Sequence, residues 1–181
     1  MKQAAALARD PDRAEKLLDA GEARIRAAGY GGFSFRDLGA DVGVSSASVH
    51  HHFPTKTALA AAVARRYTQR FLGALADAPP PVLPAWRAAF RQALLRDGRM
   101  CLCGVLGAEA GGLPPEIVAE VRAFFAGAMD AIATGLVAEG ATAAQAASRA
   151  AAAVAVLEGA MLVARAMDDP ALFDRATVAL A

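Results

Sequence analysis

Apolar residues recur at helical spacing along most of the chain, and no stretch of useful length alternates apolar with polar positions as a half-buried strand does. Asp10-Pro11 reads as a helix start, with residues 1–11 before it a loose arm carrying Lys2 and Arg9. Leu17, Leu18, Ile25 and Ala28 form the first apolar stripe, which ends at Gly29. Two short helices follow, opened by caps at Ser34 and Ser45 and joined by a turn at Gly43. Asp37 completes a reciprocal cap with Ser34, and Phe33 with Leu38 and Val44 with Val49 stand in staple positions. Thr55 caps a long helix over about residues 57–77, with Leu59, Val63, Tyr67, Phe71 and Leu75 on one face. Pro79-Pro80-Pro81 breaks the chain, and Pro84 opens a helix that carries Trp86, Phe90, Leu94 and Leu95 to a stop at Asp97-Gly98. A short helix over 102–110 is closed by Gly111-Gly112, and the longest amphipathic run then starts at Pro114-Pro115 and stops at Gly140. Thr142 and Gln145 form a capping box for an alanine-rich helix to about Met167, and a short helix over 172–180 ends the sequence. The predicted fold is all-α.

The two short helices have the layout of a helix-turn-helix. Phe35, Leu38 and Val42 share the inner side of the first, Val49 and Phe53 that of the second. Opposite them lie Ala47 and His51, flanked by Ser48 and His50: a small, donor-rich face without a carboxylate. Such a face suits a major groove beside phosphates. The competing reading is a solvated face of an ordinary three-helix subdomain.

A wider set of residues carries a family resemblance. Gly29-Tyr30, Ser34 to Leu38, Gly43-Val44-Ser45 and His51-His52-Phe53-Pro54-Thr55-Lys56 resemble the signature of TetR/AcrR-type repressors, over about residues 12–65. The departures are Ser46-Ala47, where lysine-glycine or a similar pair is common, and His50, where tyrosine is usual. The resemblance implies a DNA-binding domain over residues 1–56, a connecting helix over about 57–77, and an effector-binding and dimerisation domain over 78–181. It also implies DNA contacts from Ser34, His50 and Lys56 to phosphates, from Ser48, His51 and His52 nearer base edges, with Ser46 and Ala47 on the same surface.

Charge fits that division. Residues 1–70 hold eleven Lys/Arg against seven Asp/Glu, and residues 71–181 eight against eleven. No carboxylate lies between Asp41 and Asp77, where Lys56, Arg65, Arg66 and Arg70 fall. A phosphate partner for the first half is the simplest reading, and chance asymmetry the plain one. The start of the sequence lacks a signal-like apolar core, and the apolar run over 150–164 is short and contains Glu158. The expected location is the cytoplasm, away from membranes, with Cys101 and Cys103 reduced.

Enzymatic constellations are missing from the sequence: no phosphate-cradling glycine loop, no nucleophile elbow, no HExxH. Consecutive histidines diverge by about 100° per step, so no shared metal is expected, and no cofactor. Cys101 and Cys103, two apart, cannot bridge each other without strain. Either both are buried hydrophobes, or one is a sensing thiol whose pKa the helix start lowers, Cys101 being the better placed. The segment from Cys101 to Glu109 resembles, over a short span, the sensing region of electrophile-responsive repressors of the same family. Trp86, Phe90, Phe124, Phe125 and Met129 either line an effector pocket or form plain core. The alanine-rich helix, with Gly159 and Ala160 in its middle, either centres a monomeric bundle or forms a seam between two copies. The expected function is a homodimeric repressor, released from a palindromic double-stranded operator by a small-molecule or electrophilic effector. The alternative is a helical adaptor or enzyme that uses the N-terminal unit as scaffold.

Overall fold

A computed structural model describes residues 11–97 and 99–181; the arm over residues 1–10 and the Gly98 helix stop lie outside the described residues. Among the described residues there are nine α-helices and no strand. The first four are α1 (Pro11–Ala28), α2 (Phe35–Val42), α3 (Ser46–His52) and α4 (Lys56–Leu75). They are followed by α5 (Val82–Asp97), α6 (Leu102–Ala108), α7 (Pro115–Ala138), α8 (Ala143–Ala166) and α9 (Ala171–Ala176). Short 3₁₀ turns at Tyr30–Gly32 and Ala110–Gly112 fill two of the joints, and one at Val178–Leu180 follows α9.

The polar residues at the predicted starts do bond the amides that a helix leaves bare. Ser34 Oγ accepts from the Asp37 amide while Asp37 accepts from the Ser34 amide at 2.8 Å. Ser45 takes the Ser48 amide at 3.2 Å, and Thr55 the Ala58 amide at 3.0 Å. Gly43 ends α2 in the left-handed region at φ 75°, and its amide bonds the Gly39 carbonyl. The reversal between α2 and α3 therefore depends on a conformation that a side chain disfavours. Downstream, α5 starts at Val82 instead of Pro84, because the Glu139 carboxylate accepts the Val82 amide at 2.6 Å. The short helix predicted over 102–110 ends at Ala108, and the last one at Ala176.

The first three helices pack through Leu17, Ile25, Phe33, Leu38 and Val49, all nearly excluded from solvent. On α4, Leu59 and Val63 close that small core, and Tyr67 and Phe71 belong to the next. Phe71 is central there, with its ring 5.3 Å from Phe90, 5.7 Å from Phe124 and 5.9 Å from Trp86. Each such aromatic contributes about 2–3 kcal/mol of burial, so one helix is anchored in both halves. Ion pairs brace the same helix, from Arg66 to Glu15 and Asp19, from Arg70 to Glu22, and from Arg65 to Glu120 of α7. Although α7 and α8 are each long and apolar enough to cross a bilayer, α7 carries Glu116, Glu120, Arg122 and Asp130. The two helices pack on each other, and their Ile117, Phe124, Ile132, Leu157 and Met161 are core residues.

One ionisable group stands at the edge of that core. The two carboxylate oxygens of Glu158, on α8, are shut from water and accept no hydrogen bond of ordinary geometry. They are seated against Gly104 of α6, where a Cβ would stand 2.3 Å from Oε2. Burial pushes the Glu158 pKa up from 4.5 to about 7, and the neighbouring Cys101 thiol offsets only part of that.

Gly43→Ala should lower the unfolding free energy by about 1 kcal/mol, read from urea midpoints at equal protein concentration. Glu158 sets a pH dependence. Between 4.5 and about 7 the folded protein holds the Glu158 proton that the unfolded chain has lost. Stability should therefore fall as pH rises through that window, by about 3 kcal/mol at most, and level off above it. Glu158→Gln should remove this decline and leave the variant the more stable protein at pH 8, as urea titrations at pH 4.5 and 8 will report.

Candidate functional site

The surface around α3 is assembled by three capped helix starts in quick succession. Ala47, His50 and His51 are exposed on α3, Ser46 and Ser48 half-buried. The His50 ring stands edge-on to Phe35 of α2, centroids 4.5 Å apart, which holds it against the outer side of the motif. His52 is a correction to the sequence reading. It lies three residues after Val49, so the helical period turns it inward, and it is buried at 8% exposure instead of reaching base edges.

Ser34 is a second correction. Its hydroxyl donates to Asp37 Oδ2 at 2.6 Å and its amide to the same oxygen, so its donors close the cap and are not presented to a phosphate. Lys56 keeps its predicted neighbourhood in a different posture. Its Nζ lies 4.6 Å above the Tyr30 ring and 4.5 Å above the Phe33 ring, and desolvation there lowers its pKa. The arginines expected to add field beside it, Arg65, Arg66 and Arg70, are all tied to carboxylates of this chain. Arg36, exposed on the first turn of α2 next to Ser34, was missed by sequence reasoning. Its position just inside a cap was the available signal.

The reader is fastened to the body at its back. Tyr30 donates its amide to Glu109 Oε2 at 2.9 Å, and its hydroxyl pairs with Thr57 Oγ1 at 3.2 Å. Arg26 of α1 is buried and donates to the Met100 carbonyl at 2.8 Å, immediately before α6. Glu109 follows the last residue of α6, so both ends of that short helix hold the helix-turn-helix unit.

In the body, the five residues expected around a pocket separate into two groups. Trp86, Phe90 and Phe124 are packed core, each no more than 1% exposed, which corrects their assignment to a cavity wall. Phe125 and Met129 do line a cavity, of about 460 Å³, between α6, α7 and α8. Gly104 and Gly107 form one side, and Ala155, Gly159 and Leu162 the other, with Glu158 among them. A groove of about 440 Å³ between α4 and α5 is more polar, lined by Arg70, Gln92 and Arg96 beside Tyr67 and Phe71.

Of the two readings open for the thiols, the structure agrees with the buried one. Cys101 and Cys103 are free and buried. Burial first, and the Glu158 charge second, push Cys101 well above the ordinary thiol range; burial also raises Cys103. A low-pKa thiolate at the start of α6 is therefore corrected to a buried thiol beside a carboxyl group. Ala160 is corrected as well: it faces its own core at 5% exposure, while Gly159 points outward. Among the described residues no group of three or more His, Cys, Asp or Glu side chains comes close enough to hold a metal ion.

Comparison with known proteins agrees with this geometry. No curated protein sequence matches the chain. A regulator of the TetR family from Agrobacterium tumefaciens is 30% identical, with a TM-score of 0.85 over 94% of this chain and 96% of that one. A TetR regulator from Legionella pneumophila is 26% identical, also at 0.85, over 92% and 94%. The reduced form of NemR from E. coli shares the fold at 20% identity, with a TM-score of 0.79 over 93% and 95%. Residues 17–63 match the bacterial regulatory proteins of the tetR family, and residues 76–178 the C-terminal domain of LmrA/YxaF-like transcriptional regulators. With a helix-turn-helix at one end and a matching helical body at the other, the chain belongs to the TetR family of transcriptional regulators, which are DNA-binding proteins and not enzymes.

Proposed function

We propose that the chain acts in the cytoplasm as a homodimeric repressor that leaves a palindromic operator when a small molecule enters its body. In this reading residues 1–56 read DNA, the helix over about 57–77 connects, and residues 78–181 bind effector and a second copy. The observation that carries it is the attachment of α6. One side of α6 walls the cavity between α6, α7 and α8, while Arg26 and Tyr30 of the DNA-reading unit bond its flanking residues Met100 and Glu109. A ligand that moves α6 moves the reader, and two readers that change spacing lose a two-fold site.

A second copy is supported by the outer face of α8. Val156 and Val163 are exposed there seven residues apart, with the small residues Ala152 and Gly159 on the same face. Met167 and Val178 extend the apolar surface toward the C-terminus. A helix face this apolar fits a like face across a two-fold axis.

For DNA contact, His51 and Ser48 are assigned to base edges, and Arg36, Lys56 and His50 to phosphates, with Ala47 and Ser46 in close approach. Lys56→Ala should weaken binding to every sequence and reduce the salt slope by about one unit per half-site. His51→Ala should leave that slope nearly unchanged and relax sequence preference, at a cost of about 1–3 kcal/mol per lost base contact. Fluorescence anisotropy on an intergenic palindrome across a salt series separates the two. Wild-type affinity and slope in both variants would remove α3 from the interface. Val163→Glu should give monomers in sedimentation and lose tight operator binding in the same preparation; a dimer that persists would place the seam elsewhere.

A further inference from the structure

The cavity between α6, α7 and α8 has an unusual composition for its size. Its walls are Met100, Phe125, Met129, Val154 and Leu162 with small residues between them, and its one carboxylate is Glu158. Among the described residues, the Cys101 thiol is the only protein group whose interaction favours that carboxylate's charge, and it offsets only part of the cost of burial. Neither oxygen accepts a hydrogen bond of ordinary geometry, both are shut from water, and no cation of the described residues forms an ion pair with it within 4.0 Å. A buried carboxylate in such a site is costly unless a donor or a positive charge meets it. Gly104 supports the same point sterically. A Cβ at that position would collide with Oε2, so the α6 backbone leaves a seat for the charged end of Glu158 where any other residue would close it.

We propose that this cavity binds a lipophilic ammonium ion, its N–H groups donating to Glu158 and its apolar part lying against Phe125 and Met129. The charge and donors of the amine meet the carboxylate's missing partners, and the cavity of about 460 Å³ accommodates an aromatic ring with a short alkyl chain. The aromatic face of Phe125 and the thioether of Met129 suit such a ring. This assignment rests on the effector reading above and specifies the chemical class of the effector. It also leaves Cys101 a structural role, as a buried neighbour of the carboxylate, with no covalent chemistry required of it.

The test is isothermal titration of the full-length protein at pH 7.5, without DNA, using three ligands of one shape: 4-phenylbutylamine, 4-phenylbutan-1-ol and 4-phenylbutanoate. The expected order is amine, then alcohol, then carboxylate, with the amine at least about tenfold tighter than the alcohol, as a charge-assisted bond to a buried partner produces. Glu158→Gln should abolish the preference for the amine while still binding the alcohol, and Gly104→Ala should weaken the amine by displacing the carboxylate from its seat. Wild-type protein that binds the amine no better than the alcohol overturns the proposal, as does a Glu158→Gln variant that keeps the preference. If no ligand binds and Glu158→Gln sediments as a monomer, the carboxylate belongs to a cation of the second copy and the proposal fails. Amine binding with the expected preference but without release of operator DNA supports the site and overturns the effector reading instead.

Discussion

The bond between the Glu109 carboxylate and the Tyr30 amide fastens the helix-turn-helix unit to the helical body. It exists because Gly29, at φ 73°, lets the chain turn away from α1 and leaves room for a carboxylate that would lie 1.8 Å from a Cβ. A side chain at position 29 would therefore remove the bond by occupying its space, whatever its polarity. Tyr30, fixed at its amide, stacks under Lys56 and reaches Thr57 with its hydroxyl, so the start of α4 is positioned from the same residue. The geometry of the reading head is thus set partly by a side chain from the body. A helix-turn-helix held only by its own small core would be less sensitive to what happens near α6.

The second organising constraint is the neighbourhood of Glu158. In an all-apolar bundle the inner side of α8 would be expected to carry alanine, valine and leucine throughout, and at Ala153, Val154, Leu157 and Met161 it does. Glu158 interrupts that series and opposes glycine on α6 instead of a filling residue. Burial makes the two nearby thiols less acidic and the Glu158 charge adds to it, so one carboxyl group bears on both the shape of the cavity and the chemistry of Cys101.

Most of the helix boundaries were legible because their signals are local. Ser34, Ser45, Thr55 and Thr142 each satisfy an amide three residues on, and a single sequence contains everything such a cap requires. The orientation of His52 was equally legible in principle, since its spacing from Val49 places both on one side, but the run of three similar residues obscured it. The state of Cys101 was not legible. Its character depends on Glu158, fifty-seven positions away in sequence and adjacent in space, and on burial that no cap or period reports. The same holds for Arg65, Arg66 and Arg70, which look like a basic patch in sequence and are partners of Glu120, Glu15, Asp19 and Glu22 in the fold. The aromatic residues were recognised as body residues, but which of them meet a cavity is decided by packing between helices. Phe124 and Phe125 are neighbours in sequence and end up respectively in the core and on a cavity wall.

Those internally paired arginines have a consequence for how a regulator of this kind finds its target. Attraction to DNA of arbitrary sequence grows with the number of side-chain cations that can replace condensed counterions. Here α1 and α7 neutralise three candidates before any nucleic acid arrives, and the capping carboxylate of Asp37 adds a negative charge beside the reading helices. Fewer cations left free to displace counterions make the sequence-independent part of the attraction weaker. Where that background is weak, each base contact has less to supply, because the ratio of specific to non-specific binding decides occupancy.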